Sequence, residues 1–204
     1  NVISKVLTSK CIQFKNQDID ISKKFHQVDF YTIIKEKTNL NICDMNDDEL
    51  RSFLIKKKID ISKRNNRTNI LDKIFSSFVE PVLIEPTFVC NYPLELSPLA
   101  KKNKENINLV DRFELFIGGM EIANAFSELN DPIDQRFRLE EQARLRELGD
   151  DEAQVLDEDF IEAMEHGMPP TGGVGLGIDR LTMILTSQSS IKDVILFPTL
   201  KSEE

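Results

Sequence analysis

The sequence predicts an α+β fold, in which helices flank a largely antiparallel sheet. Its strand-like runs mostly adjoin one another in the chain instead of alternating with helices, and this order favours antiparallel pairing over a doubly wound sheet. The runs are 81–90, 112–118, 120–129 and 173–177. Two of them meet at Gly118-Gly119, a dipeptide typical of a two-residue hairpin turn.

Four helices are predicted from their end signals and their apolar spacing. They span 46–58, 66–80, 131–149 and 157–167. Polar or acidic residues that can cap a helix precede three of them, and lysines or a glycine follow. The N-terminal signals are Asn46, Asp131 with Pro132, and Asp157, and the closing glycines are Gly149 and Gly167. In the second helix the apolar residues form one stripe. That stripe is Leu71, Ile74, Phe75 and Phe78.

Composition and charge exclude several classes of function. The 204 residues carry a formal net charge of −9, which argues against a broad nucleic-acid-binding surface. No apolar run approaches the ~20 residues of a membrane helix, so we expect a soluble protein with no membrane partner. Three widely spaced cysteines and two histidines argue against a disulfide framework, a structural zinc site and a histidine-based triad. We expect the cysteines to be buried thiols.

The predicted hairpin brings two carboxylates together. Closing it at the glycine pair sets Ile117 against Met120, Phe116 against Glu121, and Glu114 against Ala123. Glu114 and Glu121 then become diagonal neighbours on one face, with Cβ atoms roughly 7 Å apart. Two carboxylates at that spacing suit Mg²⁺, which takes its remaining ligands from water and substrate phosphates. The alternative is an exposed face on which both glutamates are simply solvated.

Farther along the same strand, Asn124, Phe126 and Glu128 share the opposite parity. An amide, an aromatic wall and a carboxylate could line a pocket for a cationic, amine-bearing substrate. Alternatively, Phe126 is a core residue and Glu128 marks the end of the strand. If this set and Glu121 serve one cleft, the strand must change parity between them, and a β-bulge would do that.

The segment GGVGLGIDRL, 172–181, does not match a dinucleotide-binding or phosphate-loop pattern. Gly173, Gly175 and Gly177 recur at every second position, so on a strand they would leave a strip of bare backbone for a flat ring such as adenine. A buried helix is predicted to begin near Asp179, with Arg180 in its first turn, where a guanidinium can bind a phosphate. The alternative is a tight helix–sheet contact with Arg180 on the surface.

Three segments carry a resemblance to a known family: DRFELFIGGMEIANAFSELND, EHGMPPTGGVGLGIDRL and IKDVILFP. They resemble the C-terminal catalytic half of lysyl-tRNA synthetases, which are class II aminoacyl-tRNA synthetases. The resemblance covers nearly the whole chain, is densest from 88 to 198, and includes the third class II motif. It implies that 1–204 is the C-terminal portion of the catalytic domain, with 1–80 a more variable helical and strand part and 81–204 the active-site core.

The resemblance also implies a role for each candidate residue. It assigns ATP binding to Glu114, Glu121, Gly175, Gly177 and Arg180, with Arg180 acting in catalysis on the tail phosphate of a bent ATP. It assigns Mg²⁺, bound together with ATP, to Glu114 and Glu121. It assigns lysine binding to Asn124, Phe126, Glu128 and Gly173, with Glu128 facing the substrate ammonium.

The implied activity is the ATP-dependent formation of lysyl-adenylate and transfer of the lysyl group to tRNA(Lys). The resemblance further implies a homodimer and a cytoplasmic location, with an organellar form as the alternative. The first two class II motifs, including the arginine that contacts the α-phosphate, precede the matched region, and Arg112 is not that arginine. By the same resemblance, we expect the anticodon-binding barrel to lie outside these 204 residues as well. We therefore expect the 204-residue chain alone to be inactive and to lack an intact dimer interface.

Other functions stay open at this point. A paralogue that attaches a lysine-like residue to a protein such as an elongation factor would share the pocket strand and the glycine motif. A noncatalytic regulatory or assembly protein could keep the fold, but would not need Glu114, Glu121 and Arg180 together. An aspartate- or asparagine-specific relative would be expected to carry a cationic pocket residue where this chain has Glu128.

Overall fold

A computed structural model describes residues 10–62, 66–150 and 153–198. Within them the strands are β1 Cys11–Phe14, β2 Gln17–Asp20, β3 His26–Asp29, β4 Thr87–Cys90, β5 Arg112–Ile117, β6 Met120–Ser127 and β7 Gly172–Leu176. The helices are α1 Phe30–Thr38, α2 Asp47–Lys56, α3 Arg67–Phe78, α4 Pro132–Glu147, α5 Glu158–Glu165 and α6 Ile178–Leu185.

The main sheet confirms the predicted α+β class. Among the described residues it has five strands in the order β3-β4-β5-β6-β7, of which only the β3–β4 pair is parallel. β1 and β2 form a separate antiparallel hairpin. The described part of the chain contains no helix that is both long and apolar enough to cross a membrane.

The predicted helix ends are present and have the expected chemistry. The Asn46 side chain accepts a hydrogen bond from the Glu49 backbone N–H, and the Glu49 carboxylate accepts one from the Asn46 backbone N–H. Asp131 and Asp157 likewise cap α4 and α5 with their side chains. These local bonds satisfy N–H groups that a helix leaves without partners, which is why the sequence alone marks the boundaries.

Two apolar clusters pack on opposite faces of the sheet. The larger cluster joins α1, α2 and α3 to the sheet, with the Phe30 and Phe75 rings stacked 5.2 Å apart. The smaller cluster joins the β1–β2 hairpin and α6 to the other face, through residues that include Phe14, Ile122 and Leu181. The predicted burial of the cysteines is wrong: Cys11 and Cys43 are exposed and Cys90 is half-buried.

The β5–β6 turn requires glycine at Gly118. Gly118 and Gly119 have φ of 63° and 71°, the two positive values of a type I′ turn. A Cβ at Gly118 would also lie 2.8 Å from Cδ1 of Phe14, which is only 2% exposed and has little freedom to move away.

We expect Gly118→Ala to destabilise the protein by about 3 kcal/mol, because the left-handed backbone and the overpacking against Phe14 both disfavour it. Gly149→Ala is the matched control, since Gly149 has φ of 98° but no atom of the described residues lies within 4 Å of its Cβ position. It should cost only about 1 kcal/mol. Urea unfolding of both variants measures the difference, and equal losses would contradict a clash with Phe14.

Candidate functional site

The candidate site residues that belong to β5, β6 and β7 lie on one face of the sheet. Glu114 pairs with Asn124, and Asn124 pairs with Gly175. Directly opposed residues of antiparallel strands present their side chains on the same face. The neighbouring row across the same strands is Arg112, Phe126 and Gly173. Two parallel rows thus place charged, amide and aromatic groups beside the bare backbone of β7.

The register of β6 corrects one predicted pair and supplies the expected bulge. The pairs Ile117–Met120 and Phe116–Glu121 are present as predicted. Glu114, however, pairs with Asn124 and not with Ala123, because the register shifts by one residue along β6. Ile122, between the two registers, is buried in the cluster on the opposite face of the sheet. This extra residue restores Glu121 and Asn124 to one face.

A cavity of about 340 Å³ opens beside β7 and the start of α6. Its lining is Glu121, Ile122, Asn124, Gly175, Leu176, Gly177 and Arg180. Four of these lining residues were predicted to bind ATP, and Asn124 was predicted to bind lysine. The other predicted site residues lie outside the lining: Glu114, Phe126, Glu128 and Gly173. A larger cavity of about 570 Å³, between α3 and the end of α4, contains none of the predicted site residues.

Glu114 is nearly enclosed, and both of its carboxylate oxygens accept hydrogen bonds. Its side chain is 12% exposed. The Tyr92 hydroxyl donates to Oε2 over 2.6 Å, and Arg112 Nη2 donates to Oε1. Burial raises the pKa of Glu114 and the charge of Glu121 adds to the rise, although Arg112 and the Tyr92 hydrogen bond oppose it. A cation nearby would stabilise this carboxylate in its charged form.

Arg180 lies in the first turn of α6, as predicted. Its Nη1 donates to the Glu121 carboxylate over 3.2 Å and to the Glu121 backbone carbonyl over 2.9 Å. The side chain is 50% exposed, so this ion pair is weak and can exchange for a better anionic partner. Gly177 lies just beyond β7, where its N–H bonds to Ile122 O and it forms the N-cap position of α6.

The Glu128 carboxylate lies directly over Gly173. A Cβ at Gly173 would be 2.1 Å from Glu128 Oε1, so the side chain occupies the space that the glycine leaves. Burial raises the pKa of Glu128. Within residues 10–62, 66–150 and 153–198, no side chain or backbone group donates a hydrogen bond to this carboxylate. A partly buried carboxylate that accepts no hydrogen bond from the described residues suits a positively charged ligand. Phe126 is half-buried and packs partly against the larger core cluster.

Three residues near the site were not predicted from the sequence. Tyr92 and Glu80 come from distant segments, and no local pattern marks either one. Burial raises the pKa of Glu80, and the charge of Glu121 raises it further. Arg112 could have been found, because residues two apart on a strand share a face and Arg112 therefore accompanies Glu114.

Comparison with known proteins identifies the family. The family model described as tRNA synthetases class II (D, K and N) matches residues 1–201. The lysine–tRNA ligase of Shouchella clausii is 48% identical over 205 residues, which cover 100% of this chain and 41% of that protein. The lysine–tRNA ligase of Enterococcus faecalis is 48% identical over 98% of the chain and 41% of its own length.

The lysine–tRNA ligase of Helicobacter hepaticus is 58% identical over 161 residues, which cover 79% of this chain and 31% of that protein. The chain thus spans about 41% of the length of the first curated relatives that it matches. The match of the family model over nearly every residue, on a sheet of the expected class, shows that this chain belongs to the class II tRNA synthetases of the D, K and N group.

Proposed function

We propose that this chain is the C-terminal portion of the catalytic domain of a lysine–tRNA ligase, and that it binds lysine and ATP. The observation that carries the proposal is the Glu128 carboxylate, which lies over Gly173 with no hydrogen-bond donor among the described residues. A substrate ammonium would supply the missing partner. The relatives named lysine–tRNA ligase support the same assignment.

For the nucleotide, Gly175 and Gly177 would provide bare backbone against which the adenine lies, and Arg180 would bind the tail phosphate. The arrangement supports this, because the two glycines and Arg180 line one cavity. A guanidinium binds phosphate through two parallel hydrogen bonds, so a good anion would displace the weak pair with Glu121.

For the metal, the carboxylates of Glu114 and Glu121 fit Mg²⁺ only in part. Among the described residues, no group of three or more His, Cys, Asp or Glu side chains could hold a metal ion. When Mg²⁺ binds together with a nucleotide, it commonly takes one or two carboxylates from the protein and its remaining ligands from phosphate and water. Bound there, the ion would neutralise phosphate charge.

The proposed reaction has two steps. A lysine carboxylate oxygen attacks the α-phosphorus of ATP, and the bond to pyrophosphate breaks to give lysyl-adenylate. A ribose hydroxyl at the 3′ end of tRNA(Lys) then attacks the lysyl carbonyl, and AMP leaves. The chain's own residues bind and orient the two substrates, so no protein nucleophile is required. A homodimer and a cytoplasmic location belong to the same proposal.

Amino-acid-dependent ATP–pyrophosphate exchange on the complete protein, with all twenty amino acids, tests the proposal. We expect exchange with lysine alone, followed by charging of tRNA(Lys). Exchange with aspartate or asparagine would overturn the lysine assignment. Exchange with lysine but no charging of tRNA would favour the protein-modifying paralogue, and no exchange in a folded protein would favour a noncatalytic relative.

A further inference from the structure

Arg112 lies where the proposed nucleotide and lysine sites meet. Its side chain is 16% exposed. Nε donates to Asn124 Oδ1 over 3.1 Å, and Nη2 donates to Glu114 Oε1. Nη1 donates to Ser97 Oγ over 2.7 Å and to Leu96 O over 2.9 Å. One bond from Nε, two from Nη1 and one from Nη2 thus employ four of the five N–H groups of a guanidinium.

Tyr92 contacts both Arg112 and Glu114 on the same face of the sheet. The Arg112 guanidinium carbon lies 4.6 Å from the centroid of the Tyr92 ring, a cation–π distance. The Tyr92 hydroxyl donates to the Glu114 oxygen that Arg112 does not contact. Tyr92 is 3% exposed, so its ring has little room to rearrange. The two residues therefore fix the plane of the Glu114 carboxylate by holding one oxygen each.

Arg112 also sets the orientation of the Asn124 amide. Because a guanidinium only donates hydrogen bonds, the Asn124 atom that it contacts must be the oxygen. The Asn124 NH₂ group is then the part left for a ligand in the cavity that this residue lines. Loss of Arg112 would free the amide to rotate and would release Glu114 at the same time.

We propose that Arg112 is a positioning residue that couples the two substrate sites, by holding Glu114 on the nucleotide side and Asn124 on the lysine side with one rigid group. This inference rests on the function proposed above and goes further, because it makes the affinity for one substrate depend on occupancy of the other site. The planar fork of arginine can hold both partners in fixed directions, whereas the ammonium of lysine is a compact charge without that fork.

A purely structural role for Arg112 would be to anchor the turn at 96–97. Arg138 provides a matched control for that role. It is 7% exposed, donates to the Ala100 carbonyl over 2.7 Å and pairs with Asp134 over 2.7 Å. It therefore anchors the same stretch of chain with a buried guanidinium, and its described partners include none of the candidate site residues.

The test is calorimetric titration of the complete protein with lysine and with MgATP, each alone and each in the presence of the other. In the wild type, we expect occupancy of one site to change the affinity for the other. Arg112→Lys should weaken both affinities about tenfold, as expected for lost hydrogen bonds to a charged group, and should remove their interdependence. Arg138→Lys should leave both affinities and their interdependence within about twofold of the wild type, because it contacts neither site.

Tyr92→Phe serves as a second variant if Arg112→Lys does not fold. It removes only the hydroxyl that contacts Glu114, so we expect weaker MgATP binding, by about tenfold, with lysine binding unchanged. Equal effects of Arg112→Lys and Arg138→Lys would overturn the inference, as would a wild type whose two affinities are independent. A wild type that binds neither substrate would instead overturn the proposed function, and the inference with it.

Discussion

Gly173→Ala should raise the KM for lysine in pyrophosphate exchange by about 100-fold, while the fold remains stable. The added methyl group would lie 2.1 Å from Glu128 Oε1 and 3.3 Å from Glu128 Cδ. The end of a glutamate side chain can swing away, so the clash would be relieved by moving the carboxylate away from Gly173. Losing a charged partner for the substrate ammonium costs about 2–5 kcal/mol, which corresponds to an effect of this size.

Gly172→Ala is the matched control for this variant. It adds the same methyl group one residue earlier on β7, where the nearest atom is the Phe126 carbonyl oxygen at 4.0 Å. Neither glycine has a positive φ, so alanine suits both positions of the backbone. We expect Gly172→Ala to keep the wild-type KM. Equal KM values for the two variants would show that the Glu128 carboxylate does not bind lysine.

Arg180→Ala should reduce kcat/KM for ATP in the exchange reaction by about 100- to 1,000-fold, the effect of removing one group that stabilises developing phosphate charge. Arg180→Lys should recover only part of this loss, because an ammonium keeps the charge but not the bidentate geometry. Stability should change by less than about 1 kcal/mol, since the pair with Glu121 is half exposed.

Arg144→Ala separates this effect from a general loss of positive charge. Arg144 is 66% exposed on α4 and pairs with Glu141, so it resembles Arg180 in exposure and in having one acidic partner. It is absent from the cavity lining that contains Arg180. Wild-type exchange is expected for this variant. If Arg180→Ala retained exchange within a fewfold of Arg144→Ala, Arg180 would have no role in binding the nucleotide.

Local chemistry explains which elements could be predicted from the sequence. The helix ends were predictable because capping residues such as Asn46 and Asp131 bond to N–H groups only two or three residues away. The β5–β6 hairpin was predictable because its turn needs two positive φ angles, which Gly118 and Gly119 supply. The parallel pairing of β3 with β4 was not predictable, because it joins 26–29 to 87–90 and depends on the helices folded between them.

The candidate site could be predicted only as far as strand alternation extends. Counting outward from the turn places Glu121 correctly, but the count fails at Ile122, whose burial beneath α6 is a tertiary effect. The Tyr92 contact to Glu114 lies beyond local reasoning because another segment of the chain brings Tyr92 to this face of the sheet, whereas strand alternation alone places Arg112 beside Glu114. These are the residues on which the inferred coupling depends.

The bulge at Ile122 changes, within a single strand, which residues face the candidate site. With the same residues paired regularly and no bulge, Asn124, Phe126 and Glu128 would all turn to the back of the sheet. Glu121, on the turn side of the bulge, would keep its place. The facing of Glu121 is therefore set separately from the facing of Asn124, Phe126 and Glu128. A change of register after the bulge would alter the proposed lysine site without moving the Glu121 carboxylate.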